Sequence, residues 1–222
     1  MQRSYVQLLL SVILLVGAVA CRARESGRVD AAALEHSATG PELRVTILGN
    51  PDDPRIPPVR EAIAHWNSEL LRLGRRVRLD SGTVLNDSVP DELLRAASRA
   101  AMLGGGPATA RLHATLRDVP ADVVIALSHT DLISFSEPWH AGSQGVVAVR
   151  RADILPLSLP NTVRNVVAHE LGHVLGLMHN GDSTTLMCGR PAPCRPATFA
   201  LDRIQFFPLT ARDEQWIRAR WP

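Results

Sequence analysis

Lysine is absent from this chain, so all 24 of its basic side chains are arginine. Because 22 acidic side chains oppose them, the formal net charge is only +2. A protein that binds nucleic acid concentrates a large excess of positive charge on one face. The balanced charge therefore argues against a nucleic-acid partner, while the arginine-only usage is typical of a GC-rich bacterial genome.

The lack of lysine also excludes a phosphate-binding loop at the glycine run Gly104-Gly105-Gly106. Such a loop ends in Lys followed by Ser or Thr, which hold phosphate and magnesium, whereas Pro107 follows the glycines here. We interpret the run as a flexible joint between two helices. At 222 residues, the chain has room for one well-packed domain and too little for two full-sized ones.

Cysteine is scarce, and the odd number of three prevents complete pairing within the chain. Cys188 and Cys194 lie close together in a loop rich in proline and glycine. A disulfide between them would stabilise this turn in an oxidising compartment. Two free thiols are the alternative. A zinc site made of cysteines is disfavoured, because no second cysteine pair is present.

An apolar run at residues 6–20 has the length of a signal peptide and is short for a transmembrane helix. It ends in a small-x-small pattern at Ala20, directly before Cys21. We predict that residues 1–20 are a signal peptide of the lipoprotein type, with Cys21 as the lipidated first residue. Because Ala18 stands where that pattern favours Leu, simple secretion after cleavage at Ala20 and an uncleaved membrane anchor stay open.

The remaining chain divides into a short tether and one domain. Residues 21–42 are small and polar, and we interpret them as a flexible tether. We expect residues 43–222 to lie outside the cytoplasm, anchored to the cell envelope by lipid or secreted. Strand and helix signals in mixed order predict an α+β fold, with Asn161 as a helix cap and with Trp216 and Ile217 facing inward. The predicted strands are 43–48, 75–79, 121–127 and 145–150, and the predicted helices are 58–73, 91–103, 109–117, 161–177 and one that follows the cap residue Thr210.

The stretch HELGHVLGLMH at residues 169–179 is rich in metal-binding side chains. His169 and His173 are four residues apart, which places both imidazoles on one face of a helix, able to bind one metal ion. Gly176 tolerates the left-handed conformation that often ends a helix, and the turn can then return His179 as a third ligand. Three neutral nitrogen ligands leave one position of a tetrahedral zinc open, as in catalytic sites.

Glu170 lies next to His169 and can reach a water on the same ion. Zinc lowers the pKa of its bound water toward about 7. Glu170 can then take the proton as the water attacks a carbonyl carbon, and deliver it to the leaving nitrogen. A helix whose histidines merely pack is the alternative, but nothing in helix packing requires His at all three positions.

Residues 169–179 match the pattern H-E-x-x-H-x-x-G-x-x-H at every fixed position, so the chain resembles the metzincin clan of zinc peptidases. The clan places a methionine turn beneath the zinc ligands, and Met187 matches it here. The short spacing from His179 to Met187 is similar to that of matrixins, the matrix metalloproteinase family. The resemblance is strong at residues 165–188 and weaker over the rest of residues 43–222.

This resemblance implies a metzincin-type catalytic domain, with a mixed twisted sheet, an active-site helix and a C-terminal helix. We expect a zinc endopeptidase in which His169, His173 and His179 bind the zinc, and Glu170 is the general base that activates water. Its partners would be protein or peptide substrates, laid along an edge strand near residues 145–150 by strand addition. We expect the protein to be a monomer.

Several features depart from the matrixin pattern. Gly189 stands where astacins and serralysins place a tyrosine ligand, and Tyr5 is the one tyrosine of the chain. Residues 22–42 contain no cysteine-switch segment, so latency through a thiolate is not expected. Residues 87–118 resemble a helical insertion. The segment after Met187, CGRPAPCRP, replaces the usual wall of the substrate pocket.

Matrixins often carry a second, structural zinc and calcium in the loops before the active-site helix. Polar residues of this chain fall in that region, although the strand at 145–150 lacks the histidine expected there. Solvated loop side chains are the alternative to metal ligands. The candidate zinc ligands are His129, Asp131 and His140, and the candidate calcium ligands are Asp131, Glu137 and Asp153.

A zinc endopeptidase is favoured over two alternative functions. In the first, the same zinc site belongs to a cell-envelope lipoprotein that binds or processes one restricted partner with little general proteolysis. In the second, the chain is a structural lipoprotein without a metal. Cleavage of diverse peptides that depends on zinc and on Glu170 would separate the three.

Overall fold

The computed structural model describes residues 40–140, 142–153, 155–189 and 203–221. The predicted signal peptide, Cys21 and nearly all of the predicted tether lie outside these residues, as does Cys194. Within the described ranges, none of the helices combines the length and the apolar character needed to cross a membrane.

A mixed five-stranded sheet forms the centre of the domain. The strands in chain order are β1 (Glu42–Leu43), β2 (Val45–Leu48), β3 (Arg78–Leu79), β4 (Thr83–Leu85), β5 (Val123–Leu127), β6 (Phe135–Glu137) and β7 (Gly145–Val149). The sheet order is β4-β2-β5-β7-β6, with four parallel strands and β6 antiparallel to β7. A separate parallel pair joins β1 to β3. The predicted mixed sheet of an α+β domain is confirmed.

Helices cover both faces of this sheet. They are α1 (Ile56–Arg72), α2 (Asp91–Ala101), α3 (Pro107–Leu116), α4 (Pro160–Val174) and α5 (Ala211–Arg220). Successive side chains of β5 alternate between the faces, so Val123 and Ile125 pack with α1, α4 and α5, whereas Val124 packs with α2 and α3. Because both faces are covered, every residue of β5 and β7 is buried, as expected for parallel strands.

The edge of the sheet differs from the prediction. Residues 145–150 were expected to form an edge strand, but β7 lies inside the sheet, between β5 and β6. The edge strand on this side is β6, which the sequence pattern did not reveal. A strand of three residues carries almost no periodic signal of its own. Its position depends on pairing with β7, where Phe135 lies opposite Ala148 and Ser136 lies opposite Val147.

Of the two predicted helix caps, Thr210 and Asn161, the structure contains one. Thr210 caps α5 as predicted, because its hydroxyl accepts a hydrogen bond from the Asp213 backbone N–H at 3.1 Å. Asn161 is not the cap of α4, since the helix already begins at Pro160 and Leu159 occupies the cap position. Trp216 was expected to face inward, but its side chain is 51% exposed.

Candidate active site

Three histidine side chains converge at the end of α4. His169 and His173 lie one turn apart on the helix, and His179 comes from the turn that follows it. The Nε2 atoms of His169 and His173 are 3.2 Å apart, and those of His173 and His179 are 2.9 Å apart. The third separation, between His169 and His179, is 3.1 Å. The predicted metal ligands therefore meet at one point.

Backbone carbonyls orient two of these rings. The Nδ1 atom of His169 lies 2.7 Å from the carbonyl oxygen of Leu186, and that of His173 lies 2.8 Å from the carbonyl oxygen of Leu177. Because a carbonyl only accepts, each Nδ1 carries the proton and donates it. The Nε2 atom of each ring is then an unprotonated donor of electrons, as metal binding requires.

The residues fit a zinc ion. Three nitrogen lone pairs at these separations repel one another unless a cation lies between them. A tetrahedral zinc has Zn–N bonds of about 2.0–2.1 Å, which place its ligand nitrogens about 3.3 Å apart. Burial, together with the neighbouring His169, lowers the pKa of His173 to about 4, so this ring is neutral at neutral pH. An all-imidazole donor set suits zinc.

Glu170 is buried beside this cluster, with 8% of its surface exposed. Its Oε2 atom accepts a hydrogen bond of 2.8 Å from the hydroxyl of Ser136, on β6. Sequence reasoning missed Ser136 because it lies 34 residues before Glu170 and on a strand that was not predicted. The edge of the sheet therefore touches the candidate catalytic carboxylate directly.

Met187, the residue predicted to form the methionine turn, is fully buried. It packs against the helix at Gly172, where an added Cβ would lie 2.5 Å from the Met187 sulfur and 3.1 Å from the Trp66 ring. The Trp66 indole N–H donates to the carbonyl oxygen of Ala168 at 2.7 Å. Glycine at position 172 thus allows the methionine and the tryptophan to support α4 from below.

The chain leaves α4 through the site turn, which we define as residues 175–189. Gly176 has a φ of +99°, a left-handed conformation that favours glycine. Arg220, the last residue of α5, and Trp221, which follows it, contact this end of α4. The Trp221 indole N–H donates to the carbonyl oxygen of Leu175 at 3.0 Å, and Arg220 lies against Gly176 while donating to the carbonyl oxygen of Trp139 at 2.9 Å.

The far end of the site turn packs under the third histidine. The backbone N–H of Gly189 donates to the carbonyl oxygen of Asn180 at 2.9 Å, and that of Asn180 donates to Met187 at 2.8 Å. An added Cβ on Gly189 would lie 2.1 Å from Cγ of His179. The position where other branches of the clan place a tyrosine is therefore occupied here by backbone that contacts a ligand ring.

Cys188 in the site turn is disulfide-bonded. Its predicted partner, Cys194, lies outside the described residues, so the pairing of Cys188 with Cys194 stays a prediction.

Two asparagines of α4 hold residues 205–207, which precede α5. The Gln205 backbone N–H donates to Oδ1 of Asn161 at 3.0 Å, and the Phe207 backbone N–H donates to Oδ1 of Asn165 at 3.0 Å. The Asn165 side-chain amide donates in turn to the carbonyl oxygen of Gln205 at 2.7 Å. Asn161, expected to cap the helix, instead accepts a hydrogen bond from the backbone of Gln205.

Two of the residues proposed for further metal ions form ion pairs with arginines. Asp131 pairs with Arg150 at 2.7 Å, and Asp153 forms an ion pair with Arg151. Burial raises the pKa of Glu137 above its ordinary value. In the described part of the chain, the one metal-sized cluster of His, Cys, Asp or Glu is the histidine triad. A second zinc at His129, Asp131 and His140 stays a prediction, as does a calcium site at Asp131, Glu137 or Asp153.

Comparisons with known proteins give one family match that overlaps this site and similar folds among solved structures. Residues 127–204 match the family model for matrixin, a peptidase family. The fold is similar to that of archaemetzincin from Methanopyrus kandleri, with a TM-score of 0.50 and 18% identity over 82% of this chain and 96% of that one. Metalloproteinase-II from Bacteroides fragilis is a weaker match, with a TM-score of 0.45 and 14% identity over 82% of this chain and 53% of that one.

No curated protein matches the chain in sequence. The archaemetzincin similarity concerns the fold alone, whereas the matrixin match spans the edge strand, the active-site helix and the site turn. The motif at residues 169–179, the converging histidines and the matrixin match over residues 127–204 together indicate a zinc metallopeptidase whose site is similar to that of metzincins.

Proposed function

We propose that this zinc peptidase is an endopeptidase in which Glu170 is the general base. The observation that carries the proposal is the position of Glu170, buried on the helix that supplies two of the three converging histidines. His169, His173 and His179 would hold the zinc through their Nε2 atoms. When bound, zinc supplies Lewis-acid chemistry, which polarises a peptide carbonyl and makes a water easier to deprotonate.

The protein residues perform the proton transfers. The Glu170 carboxylate accepts a proton from the attacking water and then delivers it to the nitrogen of the departing amine. The carbonyls of Leu186 and Leu177 keep two ligand rings in the orientation that the site requires.

The substrate is proposed to be an extended peptide that pairs with β6. In the part of the chain that the structure describes, β6 pairs with β7 on one side and ends the sheet on the other. An exposed sheet edge can bind an extended peptide through main-chain hydrogen bonds. Since the Ser136 side chain of β6 contacts Glu170, a peptide on this edge would pass close to the reacting groups.

The decisive experiment compares the zinc-loaded protein with its Glu170→Gln variant. A diverse peptide library, with products identified by mass spectrometry, would reveal any cleavage and its sequence preference. General acid–base groups contribute roughly 100- to 10,000-fold to rates, so we expect kcat/KM to fall by about that factor. Zinc content and circular dichroism serve as controls, because Gln preserves the shape of the side chain.

Cleavage that survives in Glu170→Gln would refute the proposed role of Glu170. If the folded, zinc-loaded wild-type protein cleaves no peptide, the alternative function gains support: a cell-envelope lipoprotein that acts on one restricted partner. That outcome would direct attention to the segment after Met187, where the sequence departs from the matrixin pattern.

We also propose that the protein is exported and lipid-anchored through Cys21. The support comes from the sequence alone: the apolar run at residues 6–20 and the cysteine directly after Ala20. In bacteria fed labelled palmitate, the wild-type protein should carry the label and sediment with membranes, whereas Cys21→Ala should lose the label. An unlabelled wild-type protein in the medium would support simple secretion, and an intact N-terminus would support an uncleaved anchor.

A further inference from the structure

The hydroxyl of Ser136 is placed to act on Glu170. The distance of 2.8 Å between Ser136 Oγ and Glu170 Oε2 is typical of an O–H···O hydrogen bond. An ionised carboxylate only accepts, so the serine must donate. Hydrogen bonds with a charged partner are stronger than those between neutral groups. The contact therefore has both the geometry and the chemistry to orient the carboxylate.

The position of Ser136 within β6 directs this contact. Ser136 is the central residue of the strand, paired with Val147 of β7. Neighbouring side chains of a strand point to opposite faces, and Phe135 packs into the cluster on the α2 and α3 side. Ser136 consequently points to the opposite face, where α4 carries Glu170. The strand that forms the edge of the sheet thus supplies a hydroxyl to the active-site helix.

We propose that Ser136 is a positioning residue that holds the Glu170 carboxylate in its reactive orientation. The serine hydroxyl donates to Oε2 of this carboxylate. This inference rests on the proposed role of Glu170 as general base.

A second serine offers a matched control. Ser134 precedes Ser136 by two residues, and its hydroxyl oxygen accepts a hydrogen bond of 3.1 Å from the backbone N–H of Arg150. Ser134→Ala therefore makes the same chemical change in the same segment without removing the contact with Glu170. Ser136→Thr retains a hydroxyl, and the β-branched side chain suits a strand.

The experiment measures kcat and KM for a peptide that the wild-type protein cleaves. For Ser136→Ala we expect kcat to fall roughly 10-fold, since a hydrogen bond to a charged group has about that effect when it is lost. KM, zinc affinity and the thermal midpoint should stay close to wild type. Ser136→Thr should recover most of kcat, and Ser134→Ala should leave kcat unchanged.

Four results would overturn the inference. They are an unchanged kcat in Ser136→Ala, a rise in KM alone, a parallel loss of zinc affinity, and a Ser136→Thr variant no better than the alanine variant. Glu170→Gln separates the two proposals. If it abolishes cleavage while Ser136→Ala equals wild type, only the positioning role fails; if it retains cleavage, the role of Glu170 fails as well.

Discussion

The active-site helix and the site turn bring their histidines to the same point by different means. His169 and His173 lie on α4, which is supported from below by Trp66 and by Met187 against Gly172. His179 lies in the site turn, which accepts a hydrogen bond from Trp221 at Leu175 and donates one from the Asn180 side chain to Asp213 of α5. The helical ligands therefore depend on core packing, and the third ligand depends on a few polar contacts that can be changed singly.

The largest expected effect comes from Gly172→Leu, which tests the packing beneath the helix. The added side chain would collide with Met187 and Trp66, and overpacking of a buried site typically costs about 1–3 kcal/mol. We expect a loss near the upper end, about 3 kcal/mol, in the free energy of unfolding measured with urea. Gly181→Leu is the control, because nothing lies within 4 Å of a Cβ at that exposed position. Equal stability of the two variants would contradict the packing argument.

Gly189→Ala tests the site turn. A methyl group at this position meets the His179 ring, so the third ligand must shift while the helical ligands stay in place. We expect zinc affinity to fall by about 10- to 100-fold, the range seen when residues that orient metal ligands are changed. Competition with a chromophoric chelator measures this, and Gly181→Ala should bind zinc normally. Unchanged zinc affinity in Gly189→Ala would show that the turn adjusts freely.

Trp221→Phe tests how strongly the end of the chain holds the exit from α4. Phenylalanine preserves most of the buried ring but removes the N–H that donates to Leu175, leaving a buried carbonyl unsatisfied, at a cost of about 1–3 kcal/mol. Urea unfolding should show a loss near 1 kcal/mol. Trp216→Phe changes a half-exposed side chain, so it should have almost no effect. A larger loss of stability in Trp216→Phe than in Trp221→Phe would contradict the proposed role of Trp221.

The last prediction concerns the pH dependence of the zinc-free protein, an effect spread over about two pH units. Burial and His169 lower the pKa of His173 to about 4, below the unfolded value of about 6.5. The stabilisation from keeping His173 neutral is therefore complete above about pH 6.5 and is lost as the pH falls toward 4, by up to about 1 kcal/mol per pH unit. Urea unfolding at pH 7.5, 6.5 and 5.5 measures this slope.

Two variants identify the group responsible for that slope. His173→Gln should flatten the profile, because the titrating imidazole is gone. His140→Gln changes an exposed histidine and should leave the slope unchanged. A profile that is already flat in the chelator-treated wild-type protein would contradict the lowered pKa of His173.

The helical ligands were predictable from sequence because their geometry is local. A spacing of four residues places His169 and His173 on one helix face in any α-helix, and Gly176 indicated where the helix would end. The predicted end at residue 177 was three residues too late, since α4 ends at Val174. Thr210 was recognised as a cap because its partner, Asp213, lies only three residues away.

The contacts that position these residues were not predictable, because each joins distant parts of the chain. Ser136 meets Glu170 only after β6 pairs with β7, and a strand of three residues has too little pattern to be recognised alone. Trp221 lies 46 residues from Leu175, and no local spacing relates the two. The sheet edge was misplaced for the same reason, since strand order depends on pairing.

By itself, the sequence determined the type of fold, and it predicted the three histidines that converge in the structure and the role that we propose for Glu170. Those features follow from residue type and from spacing within one helix and its turn. Tertiary structure alone decided which strand forms the edge of the sheet, which hydroxyl touches the catalytic carboxylate, and what holds His179 in place. Those features require segments far apart in the chain to pack together, and no short-range pattern encodes that packing.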